Sequence, residues 1–359
     1  MRSCYIHIPF CNSICSYCDF PKVCYNRTWV MPYLDALKEE INSVYLNDKI
    51  STLYIGGGTP TSLSILELTY LFDILSVLDL SCLSEFTIEG NVSDITLEKI
   101  NLFKKYGVNR VSLGVESFDL DNLKILNRKI NYDDVKEKVE LLKSNGISNI
   151  NLDLMYAITP SIEALKNDLD KFISLDVPHI STYSLILEDN TLLKINGFNY
   201  IDEDIDSSMY KLICNTLKEK GYNHYEISNF SYPGYESVHN MTYWKNKEYY
   251  GFGLGASSYI KNRYTNTRSL TKYINHSFIS SIEYLDLKSI EEYEFILNLR
   301  LKNGLNIKEY EKKFNKSFDY SKVNDLILKG LVVIEGDNLF IPEDKFYLSN
   351  EILVKFIDN

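Results

Sequence analysis

Three thiols fall close together near the start of the chain, Cys11, Cys15 and Cys18, in the spacing Cys-x3-Cys-x2-Cys. Cysteines that serve packing sit singly in cores, so this crowding points to a metal, whose ligands have to converge on one small volume. A structural zinc takes four ligands, and an iron–sulfur cluster held wholly by protein takes four cysteines. Three thiols leave one corner of a metal centre open, and an open corner is where a reactant can bind. The competing reading is zinc held by these three and Cys4 or Cys24.

The elements that hold these thiols can be read from the hydrophobic pattern. Tyr5-Ile6-His7-Ile8 alternates as a short strand, and Pro9 ends it. Further strands are predicted over Cys4–Ile8, Thr52–Ile55, Glu85–Glu89, Arg110–Val115, Ile147–Leu154 and Ile180–Leu187. Helices are predicted between them, over Trp29–Tyr45, Leu63–Leu78, Thr96–Tyr106, Tyr132–Ser144 and Ile162–Ser174. Gly107 and Gly146 stand where C-caps belong. Such alternation implies a parallel sheet with right-handed crossovers, in too few units to close an eight-stranded barrel. In α/β barrels ligands bind where strands end and helices begin. Gly56-Gly57-Gly58-Thr59-Pro60 and the acid Glu89 stand at two such ends. Glycines there would let a ligand approach backbone amides, and a carboxylate could accept from a ribose diol.

The stretch His7-Ile8-Pro9-Phe10-Cys11 through Tyr17-Cys18-Asp19-Phe20 resembles the radical S-adenosylmethionine enzymes, in their coproporphyrinogen III oxidase-like branch. The resemblance implies that this α/β alternation forms a six-unit (β/α) partial barrel, and the pattern of three helices and a β-hairpin after it reads as a small C-terminal winged-helix-like domain. The resemblance also implies a four-iron four-sulfur cluster on Cys11, Cys15 and Cys18, with S-adenosylmethionine on the open iron. The S-adenosylmethionine pocket is then expected from Tyr5, Tyr17, Gly57, Gly58, Thr59, Glu89, Glu116, Arg128 and Asp153. Glu116 stands where the relatives usually carry Gln, which keeps an acceptor and adds a charge. After Tyr156 the relatives usually read Gly-Leu-Pro, whereas this chain has Ala157-Ile158-Thr159 before Pro160, so a shifted loop is expected.

Within that branch, the oxidases extend the motif to a fourth cysteine two places beyond the third, where this chain has Phe20. His239-Asn240-Met241-Thr242-Tyr243-Trp244 matches a motif of the HemW-type haem chaperones, and His239 is the expected haem ligand. The other reading of His239 is a hydrogen-bonded histidine in an aromatic packing cluster. The expected function is haem binding and delivery to an apo-haemoprotein acceptor. The alternative is oxidative decarboxylation of porphyrinogen propionates, and whether S-adenosylmethionine is cleaved stays open. A homodimer, and peripheral membrane association through the acceptor, are compatible with this reading.

Three regions are expected: a core over 1–231, a Gly- and aromatic-rich connection over 232–280, and a helical domain with a β-hairpin over 281–359. With a formal net charge of −11 and no basic stripe, nucleic acid is not an expected partner. No apolar run reaches the roughly 18 residues of a spanning helix, and the amino terminus lacks the apolar stretch of a signal peptide. A cytoplasmic location is therefore expected, with the seven cysteines reduced.

Overall fold

A computed structural model describes residues 1–357; the last two residues of the expected C-terminal region lie outside the described residues. Six parallel strands run side by side in chain order: β1 (Arg2–Ile8), β2 (Ile50–Gly57), β3 (Glu85–Asn91), β4 (Arg110–Glu116), β5 (Asn149–Tyr156) and β6 (His179–Ser184). The helices α1 (Arg27–Val44), α2 (Ile65–Leu75), α3 (Leu97–Lys105), α4 (Leu120–Leu126), α5 (Tyr132–Ser144) and α6 (Ile162–Ser174) fall between them in sequence. Side-chain oxygens cap their N-termini, with a full capping box at Ser64 and Glu67. The short α4 has too few residues for an amphipathic period to show, and the sequence reading missed it.

Along these strands one set of residues is apolar and the alternate set polar. Ile6, Leu53, Ile55, Phe86, Ile88, Val111, Leu113, Ile150 and Leu152 are buried in the main hydrophobic core. The opposite face aligns Thr87 with Arg110, Glu89 with Ser112, Ser112 with Asn151, Gly114 with Asp153 and Asp153 with Ser181. Parallel strands buried on both faces usually read as continuous apolar runs. Here the inner face surrounds a polar lumen instead.

The sheet extends past both edges of the partial barrel. After α7 (Glu203–Glu219), β7 (Asn223–Glu226) and β8 (Asn229–Ser231) form an antiparallel pair, and β8 joins β6. At the other edge β9 (Tyr249–Phe252) runs parallel to β1. It is followed by the antiparallel β10 (Ser257–Ile260), β11 (Asn262–Asn266) and β12 (Ile279–Glu283). The stretch expected as a connection thus supplies a seventh parallel strand and an antiparallel edge. Glu40 of α1 ties it down, accepting from the Gly253 N–H at 2.9 Å, from Asn266 at 2.5 Å and from the Tyr273 hydroxyl.

The C-terminal region carries the helices Leu287–Asn298, Ile307–Phe314 and Ser321–Leu328 and the hairpin Val333–Glu335 with Asn338–Phe340, to which Leu305–Asn306 adds a third strand. It docks on the β7–β8 edge, where Lys302 N–H donates to the Tyr225 carbonyl at 3.0 Å. Among the described residues no helix is long and apolar enough to cross a membrane.

Candidate cofactor site and barrel lumen

Cys11, Cys15 and Cys18 lie on the loop after β1, at the end of the barrel where the parallel strands finish. The loop is pinned on several sides. Phe10–Cys11 pairs with Val23–Cys24, Ser16 N–H donates to the Leu126 carbonyl at 3.1 Å, and Leu193 N–H donates to the Ser16 carbonyl at 3.0 Å. The three thiols line one cavity of ≈ 640 Å³. Burial pushes the Cys11 thiol up to about 11, against the Thr59 hydroxyl that donates to its sulfur at 3.7 Å. The Arg128 guanidinium lies 3.3 Å from the Cys15 sulfur.

Among the described residues no three His, Cys, Asp or Glu side chains converge tightly enough for a single metal ion. The three thiols rim the mouth of an open bowl, with cations beside them. The zinc alternative needs Cys4 or Cys24 as a fourth ligand, and neither lines this cavity, whereas three thiols facing open volume fit a cluster with one free corner. When bound, a cluster and S-adenosylmethionine supply one-electron reductive chemistry, and the residues that would hold them are those around this bowl.

The cavity runs from the cysteine loop down the barrel. Tyr17, Gly57, Gly58, Thr59, Glu89, Glu116, Arg128 and Asp153 all line it. Tyr17 donates to a Glu116 oxygen at 2.6 Å, and Arg128 pairs with the same oxygen at 3.4 Å while donating to the Gly114 carbonyl at 2.6 Å. Arg128 is held there by Asn127, whose left-handed backbone (φ 55°) ends α4. The extra charge of Glu116 is thus matched by a cation in contact with it. Glu116 itself is left-handed (φ 66°), a conformation that costs a non-glycine residue energy and turns its side chain into the cavity rim.

The glycine run lines the cavity through Gly57 and Gly58 and also has a packing role that the sequence did not show. Gly57 N–H donates to Glu89 at 3.0 Å, Gly58 N–H to the Ile8 carbonyl at 2.8 Å, and Thr59 N–H to the Phe10 carbonyl at 2.8 Å. These amides are spent inside the protein. A Cβ on Gly56 would meet the Glu89 carboxylate at 2.8 Å, one on Gly57 the His7 ring at 2.6 Å, and one on Gly58 the Cys11 sulfur at 2.9 Å. The missing side chains let the cysteine loop and Glu89 close onto β2.

Two half-buried acids face the lumen. Glu89 accepts from the Tyr54 hydroxyl at 2.7 Å, and burial pushes its carboxyl above the usual range against that bond and the Gly57 N–H. Asp153 accepts from the Asn151 amide at 2.8 Å. Burial, reinforced by the charges of Glu116 and Glu89, raises it to about 7.

Tyr5 and His239 do not join the residues lining this cavity. The Tyr5 hydroxyl meets His7 Nδ1 at 3.0 Å. His239 sits in α8 (Val238–Trp244), which plugs the opposite end of the barrel. Its Nδ1 meets the Thr52 hydroxyl at 2.8 Å, its Nε2 meets the Tyr243 hydroxyl at 2.7 Å, and it is 1% exposed. Burial, with Arg110 adding to it, lowers its pKa to about 3, so the ring stays neutral. The N–H groups of Val238 and His239 bond the Glu85 carboxylate at 2.9 and 3.0 Å. The expectation that His239 offers a nitrogen to haem therefore does not match its surroundings: both nitrogens are engaged within the barrel floor.

The sequence reading missed Tyr54, Asn91, Arg110, Ser112, Asn151 and Asn240, which also line the cavity. The signal was available for those on the strands. Tyr54, Arg110, Ser112 and Asn151 occupy the polar alternate positions of runs whose other residues are apolar.

A family profile, Radical SAM superfamily, matches residues 5–171. The heme chaperone HemW of Lactococcus lactis subsp. lactis (strain IL1403) is 40% identical, over 99% of this chain and 97% of its own. The heme chaperone HemW of Bacillus subtilis (strain 168) is 36% identical, over 99% of both chains. In fold, the solved coproporphyrinogen III oxidase (HemN) from Escherichia coli superposes with a TM-score of 0.85 at 20% identity, covering 99% of this chain and 89% of that one. A barrel with three cysteines at its mouth, matched along its whole length by such relatives, belongs to the HemW family of the Radical SAM superfamily.

Proposed function

We propose that this chain is a haem chaperone, which binds haem at the cysteine end of the barrel and passes it to an apo-haemoprotein acceptor. The observation that carries the reading is the end-to-end similarity to proteins named heme chaperone HemW, joined to Phe20 at the place where the oxidase-like motif asks for a fourth cysteine. A second observation supports it. Phe20, Tyr183 and Ile186 line the cavity mouth and are 65%, 41% and 63% exposed. Large apolar side chains clustered in solvent mark a docking surface for an apolar partner, and a flat porphyrin face suits them.

In this reading Cys11, Cys15 and Cys18 hold the cluster, and Tyr17, Gly57, Gly58, Thr59, Glu89, Glu116, Arg128 and Asp153 surround S-adenosylmethionine. Tyr5 acts through His7, and His239 holds the barrel floor. The protein works in the cytoplasm, where its thiols remain reduced. A homodimer and an acceptor at the membrane are further forms of the same proposal, tested by sedimentation with and without cluster.

The experiment is anaerobic reconstitution with iron and sulfide, followed by haem titration and by incubation with coproporphyrinogen, S-adenosylmethionine and reductant. Stoichiometric haem binding without decarboxylated product is the expected result. Decarboxylated product would replace this reading with the oxidase one.

A further inference from the structure

Arg110 starts β4 and is 2% exposed, and its side chain lines the lumen together with Ser112, Asn151 and Asp153. Among the described residues its guanidinium makes no side-chain hydrogen bond and no ion pair, and Nε is fully enclosed without an acceptor. Guanidinium is five donors in a rigid fork and stays charged, so a buried one is held by an acceptor or is costly. The neighbouring acids do not meet that need by contact. Glu89 is occupied by Tyr54 and Gly57, and Asp153 by Asn151.

Other polar groups around it are also left open. Thr87, its register partner on β3, has a buried hydroxyl without a partner. Asn240, on the plug helix, lines the same cavity, and its carboxamide makes no hydrogen bond among the described residues. Five other polar residues near them behave differently: Ser3, Thr52, His179, Tyr225 and His239 bond to one another or to their neighbours. Arg110 is thus a buried cation in the lumen with open polar groups, Thr87 and Asn240, beside it.

We infer that the lumen around Arg110, with Asn240 beside it, is a binding subsite for a carboxylate group of a molecule that enters through the barrel mouth. Planar carboxylate against the guanidinium fork is the pairing that geometry favours. Two sources share this chemistry: a propionate of haem, which rests on the proposed function, or the carboxylate of a smaller ligand such as S-adenosylmethionine, which does not.

The test pairs each ligand with a version lacking its free carboxylate. Wild-type protein and Arg110→Met are titrated with haem and haem dimethyl ester, and, without cluster, with S-adenosylmethionine and its decarboxylated form. Removing the interacting carboxylate should weaken wild-type binding about tenfold to a hundredfold, and Arg110→Met should abolish that difference. A difference confined to the haem pair assigns the subsite to a propionate; one confined to the other pair assigns it to the smaller ligand. If neither pair differs in wild type, or Arg110→Met weakens both members of each pair equally, the subsite is wrong. Should Arg110→Met not fold, Arg110→Lys keeps the charge but loses the fork, and should shrink the difference without removing it. Absence of any haem binding by wild type would sink the chaperone reading and leave the second pair to decide on Arg110.

Discussion

The two ends of the barrel are built from the same strands and treat polar groups in opposite ways. At the floor, α8 closes the lumen and His239, Thr52, Ser3, Tyr243 and Glu85 satisfy one another. At the mouth, three thiols, two half-buried acids and the Arg128–Glu116 pair surround open volume. A satisfied network rigidifies, while open valence awaits a ligand. Changes at the mouth, and at Arg110 on the open side of the floor, should therefore alter what is bound, while changes at the bonded floor residues should alter how firmly the protein folds.

The sharpest break of this contrast is Cys11→Ser, Cys15→Ser and Cys18→Ser together. Reconstituted protein should lose essentially all cluster iron and sulfide by chemical assay, with its circular dichroism kept. Retention of iron would remove the mouth from the comparison.

Arg128→Met should cost about 3–5 kcal/mol in chemical denaturation, because Glu116 is left without the cation it faces. Arg128→Met with Glu116→Gln should recover most of that loss. If the double variant is no more stable than the single one, the pair is not coupled.

Asp153 provides a pH test. Its folded pKa, raised to about 7, lies above that of an unfolded aspartate. The folded state therefore binds the extra proton, and the associated stability is present below the unfolded pKa and lost as pH rises through about 7. Asp153→Asn should stabilise the ligand-free protein at pH 8 by at most about 4 kcal/mol and change little at pH 4. Melting curves of both proteins across that range read it, and a gain that grows towards acid would reverse the sign.

His239→Ala should lower stability by about 1–3 kcal/mol through the hydroxyls of Thr52 and Tyr243 that it strands, while haem affinity stays at the wild-type value. A selective loss of haem binding, with the melting temperature unchanged, would move His239 from floor to ligand. The smallest effect expected is at Ala157, left-handed at φ 60°. Ala157→Gly relieves that conformation and should add about 0.5–1 kcal/mol by denaturant midpoint.

How far the chain could be read depended on distance along it. The strand–helix alternation over β1 to β6 was legible because each apolar face repeats within a few residues. Cys11, Cys15 and Cys18 were legible because a local loop supplies all three thiols. The seventh parallel strand, Tyr249–Phe252, was not, since pairing with β1 joins residues far apart in the chain. The neighbours of His239 were not legible for the same reason. A histidine beside Tyr243 and Trp244 can suit a porphyrin or a packed floor, and Thr52 and Glu85, which decide between them, are distant in sequence.

The order of amino acids by itself determined the chemistry on offer: three soft ligands in one loop, acids at strand ends, and polar residues alternating with apolar ones. Only the closed arrangement of strands decided which polar residues would neutralise one another and which would stay open. Whether a side chain is spent or available depends on neighbours brought together by folding, and no local spacing encodes them.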